Sequence, residues 1–338
     1  MYVILPLAVF AISCLLTLAL RRYALARQVM DIPNERSSHV TPTPRGGGLA
    51  IVAAFLAAVA LLLPAAPVGS RSYLLGLISS GLLVALTGFL DDHRPIAARW
   101  RLLGHFIAAA GLLWSLGGLP PLVVFGYWLA PGAFLQLLAC IYLVWLLNLY
   151  NFMDGIDAIA SLEAISIGLG GALLAWLVGV PGGALLPLLL AAATAGFLVW
   201  NYPPAKIFMG DAGSGFLGLM IGGLSLQAAW LAPQLLWCWL ILTGVFIVDA
   251  TVTLLHRLIR GEKIYQAHRS HAYQYAARRF GSHQRVSLAV TAINLVWLLP
   301  MAVLVALKML DGVAGLVIAW TPLLVLVCYL GAGRRETA

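Results

Sequence analysis

Charge is what this chain lacks. Asp, Glu, Lys and Arg make up 9% of its 338 residues, against 62% hydrophobic residues and a mean hydropathy of +0.97. No soluble domain of this length could cover so much apolar surface, so a soluble globular protein is excluded and a polytopic membrane protein is expected. Cysteine is also sparse. Cys14, Cys140, Cys238 and Cys328 all lie in apolar runs without ligand spacing, which excludes a disulfide framework and a zinc centre and leaves small hydrophobes. The short apolar core and small-residue cleavage site of a removed leader are missing too, so the first apolar run is expected to be a retained span.

What is present is a series of apolar runs, each near the roughly 20 residues that a spanning helix needs. They cover 2–20, 47–63, 71–90, 102–118, 133–150, 156–177, 184–200, 213–231, 235–256, 286–307 and 313–331. The expected fold is all-α, with about eleven transmembrane helices in a single catalytic domain over 1–338. Arg71 and Lys308 aside, every basic residue falls at 21–45, 94–101, 206, 257–285 or 334–335, all on one face of that topology. The excess of basic residues makes that face cytoplasmic, with the N-terminus outside and the C-terminus inside. The cytoplasmic loops are then about 21–46, 91–101, 150–156, 201–212 and 257–285. The net charge of +8 is therefore an orientation signal. It is split among short loops without a recognition motif, so no nucleic-acid partner is expected. Most of the acids map to the same edge, and the chemistry is expected there.

Phe208-Met-Gly-Asp211-Ala-Gly-Ser-Gly215 is the most informative stretch. A glycine-rich turn opening a helix can offer backbone N–H groups to phosphate oxygens while Asp211 holds Mg²⁺ on the same phosphates. Lys206 precedes it, and Phe208 is either a stacking surface for a nucleobase or an interfacial aromatic anchor. Asp91-Asp92 closes the third apolar run and is either a solvated helix end or an acidic site needing a cation, since carboxylates oppose the dipole there. Asn148, Asn151, Asp154 and Asp157 exceed what one helix cap requires; Asp154 and Asp157, three apart, are expected to share a helix face at the start of the sixth helix. In the longest polar loop, His268 and His271 can share one face of a turn beside Arg269; phosphate contact and lipid anchorage are the two readings. Glu163 reads as a hydrogen-bonded carboxyl in a helix seam or an intramembrane functional acid, Asp249 as facing the polar cavity, and His105 as a satisfied packing residue.

Taken in order, Asp31-Ile-Pro-Asn34-Glu-Arg36-Ser-Ser-His39, Pro42-Thr-Pro-Arg45-Gly-Gly-Gly48, Asp91-Asp92, the Asn151–Asp157 block, Phe208–Ser214 and the histidine loop resemble the bacterial polyprenyl-phosphate N-acetylhexosamine-1-phosphate transferases. The Arg36-Ser-Ser-His39 and Pro-Thr-Pro-Arg-Gly-Gly-Gly stretches look most like the O-antigen-initiating branch that uses UDP-linked N-acetylated 6-deoxyhexoses. The resemblance implies transfer of a sugar 1-phosphate (N-acetylated hexosamine or 6-deoxyhexosamine) from a UDP-sugar to undecaprenyl phosphate. UMP is released, with Mg²⁺ as cofactor and Mn²⁺ as an admissible substitute. It implies Asp211 as metal ligand, and Asp91, Asp92, Asp154, Asp157, His268 and His271 as the catalytic set. Arg45, Asn151, Asn201, Lys206, Phe208 and Arg269 become substrate-binding residues. The partners are membrane lipid and the two substrates, with a homodimer allowed, in the bacterial cytoplasmic membrane.

Two departures from the family pattern stand out. Asp157 is followed by Ala158 where the family often has glycine, and Arg269 and Ser270 separate two histidines that are consecutive in the muramoyl-pentapeptide enzymes. The second makes a muramoyl-pentapeptide substrate unexpected. A flippase for lipid-linked sugars is the rival from another class; it predicts polar groups near the bilayer midplane and repeat symmetry between halves.

Overall fold

The computed structural model describes residues 3–33, 41–94, 96–262 and 268–334, so the Asn34–His39 stretch of the first motif lies outside the described residues. In chain order the elements are α1 (Ile4–Arg27), β1 (Met30–Asp31), β2 (Thr43–Pro44), α2 (Gly48–Leu62), α3 (Val68–His93), α4 (Ala98–Ser115), β3 (Leu122–Val124), β4 (Tyr127–Leu129), α5 (Ala133–Met153), α6 (Ile159–Leu177), α7 (Leu185–Asn201), α8 (Asp211–Leu231), α9 (Leu235–Leu242), α10 (Gly244–Ile259), α11 (Ala272–Phe280), α12 (His283–Ile293), α13 (Leu299–Ala306) and α14 (Gly312–Tyr329). Among the described residues, nine helical stretches are long and apolar enough to cross a membrane, or ten if the bent pair α9–α10 is one span. The protein is an all-helical, multi-pass membrane protein. The count differs from eleven because α4, though 18 residues long, carries Arg99, Arg101 and His105.

α8 is the axle of the bundle, with 83% of its apolar window buried, whereas only 17% is buried in the peripheral α1. Its sequence, Asp-Ala-Gly-Ser-Gly-Phe-Leu-Gly at the start, is rich in small residues that let neighbouring backbones approach, the usual basis of helix packing in lipid. α2, α3, α5, α6 and α9 all pack against it. The two ribbons are minor: Met30 and Asp31 pair antiparallel with Pro44 and Thr43, and Leu122–Val124 pairs with Tyr127–Leu129.

Several expected boundaries move. The 235–256 run is not one straight helix; α9 and α10 meet at 66°. Thr243 supplies the reason, since its hydroxyl bonds back to the Trp239 carbonyl at 2.8 Å immediately before Gly244. The 286–307 run is interrupted by a π-turn over Asn294–Leu298. There the buried Asn294 amide donates to Glu163 Oε2 at 2.5 Å and to Ser166 Oγ at 2.8 Å, which makes Glu163 a seam residue between α6 and α12. The polar loop at 257–285 contains the nine-residue helix α11.

Candidate active site

The N-terminus of α8 organises the site. Its N-cap is Gly210, which has no side chain to accept the helix's first N–H groups. Asp92, in the last turn of α3, does so from outside: one carboxylate oxygen accepts the N–H of Asp211 at 3.1 Å and the other faces that of Ala212 at 3.5 Å. An acid at the end of one helix is thus stabilised by the positive end of another. The approach is close, because a Cβ at Gly88 would lie 2.5 Å from the Ala212 nitrogen. Gly210 itself has φ +79°, and a Cβ there would meet Asp92 Oδ2 at 2.7 Å.

Arg45 completes this corner. Its guanidinium pairs with Asp92 and, at 3.1 Å, with Asp211. Burial works against its charge, but Asp92, Asp211 and Asp31 outweigh that and raise its pKa. The loop carrying it is pinned to the glycine-rich turn by backbone bonds: Phe208 N–H to the Pro44 carbonyl, Gly47 N–H to Phe208 and Gly48 N–H to Met209, each 2.8 to 2.9 Å. Asp91 points elsewhere, taking the Ile96 N–H at 2.7 Å and Arg101 at 2.6 Å.

Asn151, in the last turn of α5, donates to Ser214 Oγ at 3.1 Å. Asp154 follows as the C-cap of α5. Burial, then the charges of Asp211 and Asp92, hold its carboxyl well above the usual carboxylate range. The expectation that Asp154 and Asp157 share a helix face is not met, since α6 begins only at Ile159 and both acids sit in the connecting turn. The turn is made by Ala158, whose φ of 66° is left-handed. That is the position where the family often has glycine. Asn201 holds this strained residue by accepting its N–H at 3.0 Å, while its amide group donates to the Ile207 carbonyl at 3.0 Å. Asn201 is thus a buried brace, with both ends of its amide engaged. Asp157 ties three segments, accepting the Ala205 N–H at 3.0 Å and lying 3.3 Å from His283.

The histidine loop docks on the end of α5. Tyr273 Oη donates to the Phe152 carbonyl at 2.9 Å, and the His271 ring stacks near Phe152 with centroids 6.4 Å apart. The His268 and His271 rings stack at 4.8 Å. His271 is buried and its Nδ1 lies 3.4 Å from Asp249. Asp249 does not face an open polar cavity; it is buried and caps α11. His268 is the more open of the two; burial, then His271 and Arg257, push its pKa down to about 3. Arg269 offers its carbonyl to Arg278 at 3.0 Å. Lys206 is exposed, its ammonium 5.5 Å from the Trp200 ring centroid. Phe208 is half-buried in the turn.

Loops after α3, α5 and α7 therefore enclose one acidic corner at one end of the bundle. Among the described residues no three His, Cys, Asp or Glu side chains are grouped closely enough to hold a metal by themselves. The donor set nevertheless suits Mg²⁺, which takes one or two carboxylates and completes its shell with substrate phosphates and water. A cation already lies between Asp92 and Asp211, in the form of Arg45.

Residues 74–229, which include all but the last two residues of α8 and also Asp92, Asn151, Asp154 and Asp157, match the family model described as glycosyl transferase family 4. The chain is 31% identical over 323 residues to decaprenyl-phosphate N-acetylglucosaminephosphotransferase of Mycolicibacterium smegmatis, covering 83% of this chain and 75% of the relative. The chain belongs to the polyprenyl-phosphate N-acetylhexosamine-1-phosphate transferases. A Bacillus subtilis relative, described as a probable undecaprenyl-phosphate N-acetylglucosaminyl 1-phosphate transferase, is 30% identical over 290 residues, covering 82% of this chain and 77% of its own. A more distant branch is represented by the phospho-N-acetylmuramoyl-pentapeptide-transferase of Moorella thermoacetica, 31% identical over 243 residues, with 66% of this chain and 74% of the relative covered.

Within the transferase, some contributors escaped sequence reasoning. Arg101 and His283 each touch a site acid, yet stand in no motif of their own. His105 was expected to be satisfied; it is so only in part, for the ring hydrogen-bonds with Asn148 while its buried Nδ1 has no partner, and the residue lines a cavity with Arg101, Asn148, Asn151 and Asp211. The one available signal was its place on an otherwise apolar helix face four residues after Arg101.

Proposed function

We propose that this transferase moves an N-acetylhexosamine 1-phosphate from a UDP-sugar to undecaprenyl phosphate, releasing UMP, at the cytoplasmic face of a bacterial inner membrane. The meeting of Asp92, Asp211 and Arg45 at the α8 N-terminus carries the reading, because it joins acidic donors, a guanidinium and the positive end of a helix at one bundle end. A donor diphosphate needs that combination. Phosphoryl transfer demands positioning and charge neutralisation more than covalent help from the protein. Bound at Asp211, Mg²⁺ would supply neutralisation of the diphosphate charge.

The chain's own groups do the rest. In this reading the acidic pair Asp91 and Asp92 takes the proton of the acceptor's phosphate, and Asn151, Asp154 and Asp157 serve the nucleotide. His268, His271 and Arg269 face the diphosphate, Lys206 helps to offset its charge, and Asn201 and Phe208 lie near the uridine. The acceptor phosphate then attacks the sugar-side phosphorus of the donor in line, the new P–O bond forming as the bond to UMP breaks. The relatives' names favour N-acetylglucosamine as the sugar, and the Pro-Thr-Pro-Arg-Gly-Gly-Gly stretch supports initiation of an O-antigen or related surface glycan. The distribution of basic residues supports an outside N-terminus.

Purified protein given UDP-N-acetylglucosamine, undecaprenyl phosphate and Mg²⁺ should release UMP, and a panel of UDP-sugars, 6-deoxy forms included, ranks the donors. Absence of UMP with every donor would refute the reading. Prompt UMP release before any lipid is added would replace direct attack by a two-step path.

A further inference from the structure

The pairing of Arg45 with two site carboxylates goes beyond ordinary substrate binding. Two carboxylates from different helices share one guanidinium, and Asp211 is the residue assigned to the metal. Arg45 already occupies one oxygen of Asp211, and a divalent ion on the same carboxylate would be a like charge close beside the guanidinium, which it repels. The Arg45 backbone, in contrast, cannot retreat. Its loop is held to the glycine-rich turn by the bonds at Phe208, Gly47 and Gly48, and its own N–H faces the Val29 carbonyl at 3.4 Å. Only the side chain can move, and it has room: about a third of it, 32%, is solvent-exposed.

We propose that Arg45 is an exchangeable internal cation, holding the Asp92–Asp211 pair together in the metal-free enzyme and swinging its guanidinium onto the donor's diphosphate when a divalent ion takes Asp211. The inference rests on Asp211 being the metal ligand. It accounts for two facing carboxylates from different helices: leaving either one unpaired in a half-buried site is costly, and Arg45 partners both. It also orders the binding events. The metal releases an arginine whose planar fork suits phosphate oxygens, so metal and UDP-sugar favour each other although neither touches the other's protein ligand.

The test is Mn²⁺ titrated into the full-length, detergent-solubilised protein without nucleotide or lipid, followed by the EPR signal of the free ion. Arg45→Gln, which removes the competing charge, is expected to bind Mn²⁺ roughly tenfold tighter than wild type. In saturating Mn²⁺ the same variant should bind UDP more weakly than wild type. Arg45→Lys keeps the charge but cannot fork between two carboxylates, so its Mn²⁺ affinity should fall between the two, and it reports on the exchange if the glutamine variant does not fold. Mn²⁺ binding by a folded Arg45→Gln protein that equals or falls below wild type overturns the proposal. Asp211→Asn separates the two levels: if it loses Mn²⁺ while Arg45→Gln matches wild type, only the exchange fails. If it binds Mn²⁺ like wild type, the metal assignment fails and the exchange with it.

Discussion

Asp249 Oδ2 accepts the backbone N–H of Tyr273 at 2.9 Å, across a chain separation of 24 residues. The other oxygen takes the Ala272 N–H at 2.9 Å and the Thr253 hydroxyl at 3.0 Å. A carboxylate inside α10 thereby caps α11 and sets where the histidine loop stands. Asp249→Ala is expected to cost about 1 to 2 kcal/mol as a lost cap, with a larger fall in UMP release because His268 and His271 lose their anchor. Asp249→Asn keeps an acceptor for one N–H and should fall between. Thermal melting beside turnover checks both, and a melting change without an activity change would show that the loop's position does not matter.

Gly88 sets the spacing of the acidic corner. Its missing Cβ leaves room for the backbone of Asp211 and Ala212, so Gly88→Ala drives α3 away from α8. The overpacking penalty is about 1 to 3 kcal/mol. Activity should drop by far more than that of a variant at the exposed Leu86, on the same helix and open to its surroundings.

Ala158 is strained where it stands. A left-handed φ costs a non-glycine residue about 1 to 2 kcal/mol, and Ala158 has φ 66° while fully buried. Ala158→Gly should therefore raise stability by about 1 kcal/mol, with turnover retained, as melting and UMP assays would reveal. Asn201→Ala should do the reverse, since it removes the acceptor that holds this turn.

Glu163 and Asn294 form a buried pair in the seam between α6 and α12, each with one further oxygen lacking a partner. Glu163→Gln keeps an acceptor for the Asn294 amide and adds a donor for its oxygen, so the fold should tolerate it. Glu163→Leu leaves one of the two Asn294 amide N–H groups unpaired and should lower stability by about 1 to 3 kcal/mol. Equal melting of the two variants would count against the pair.

His268 makes the protein acid-sensitive. Its folded pKa of about 3 lies below the ordinary 6.5, so the unfolded chain binds a proton first as pH falls. Stability attributable to this ring is complete above pH 6.5 and is lost progressively below it, towards the folded value. His268→Gln should flatten the melting temperature between neutral pH and pH 5 relative to wild type. If the ring meets the diphosphate, UDP binding at pH 6 should take up a proton, readable as a buffer-dependent heat of binding that the variant lacks.

Much of the architecture was legible because membrane spans are a local property. An apolar run of the right length must bury its backbone in a helix whatever surrounds it, and Ile4–Arg27, Ala133–Met153 and Gly312–Tyr329 stand close to where hydropathy puts them. The order of the polar motifs was equally visible, as was their gathering at one end. Bends were not: residues 240–242 and 245–248, immediately before and after Thr243-Gly244, are all apolar, and a hydroxyl turned back on its own helix leaves no trace in hydropathy. The placement of Asp154 and Asp157 in a turn depended on a left-handed alanine held by Asn201, 43 residues away in the chain.

Composition and periodicity alone determined that this chain is a helical membrane protein with most of its acids and bases at helix ends, because burying charge in lipid is costly. Only the tertiary structure decided which of those charges meet. Arg45, Asp92 and Asp211 come from three separate segments, and Arg45 and Asp211 are 166 residues apart. What joins them is close backbone packing at Gly88 and the loop bonds at Gly47 and Gly48. Contacts of that kind depend on how helices cross, which no local pattern of residues encodes.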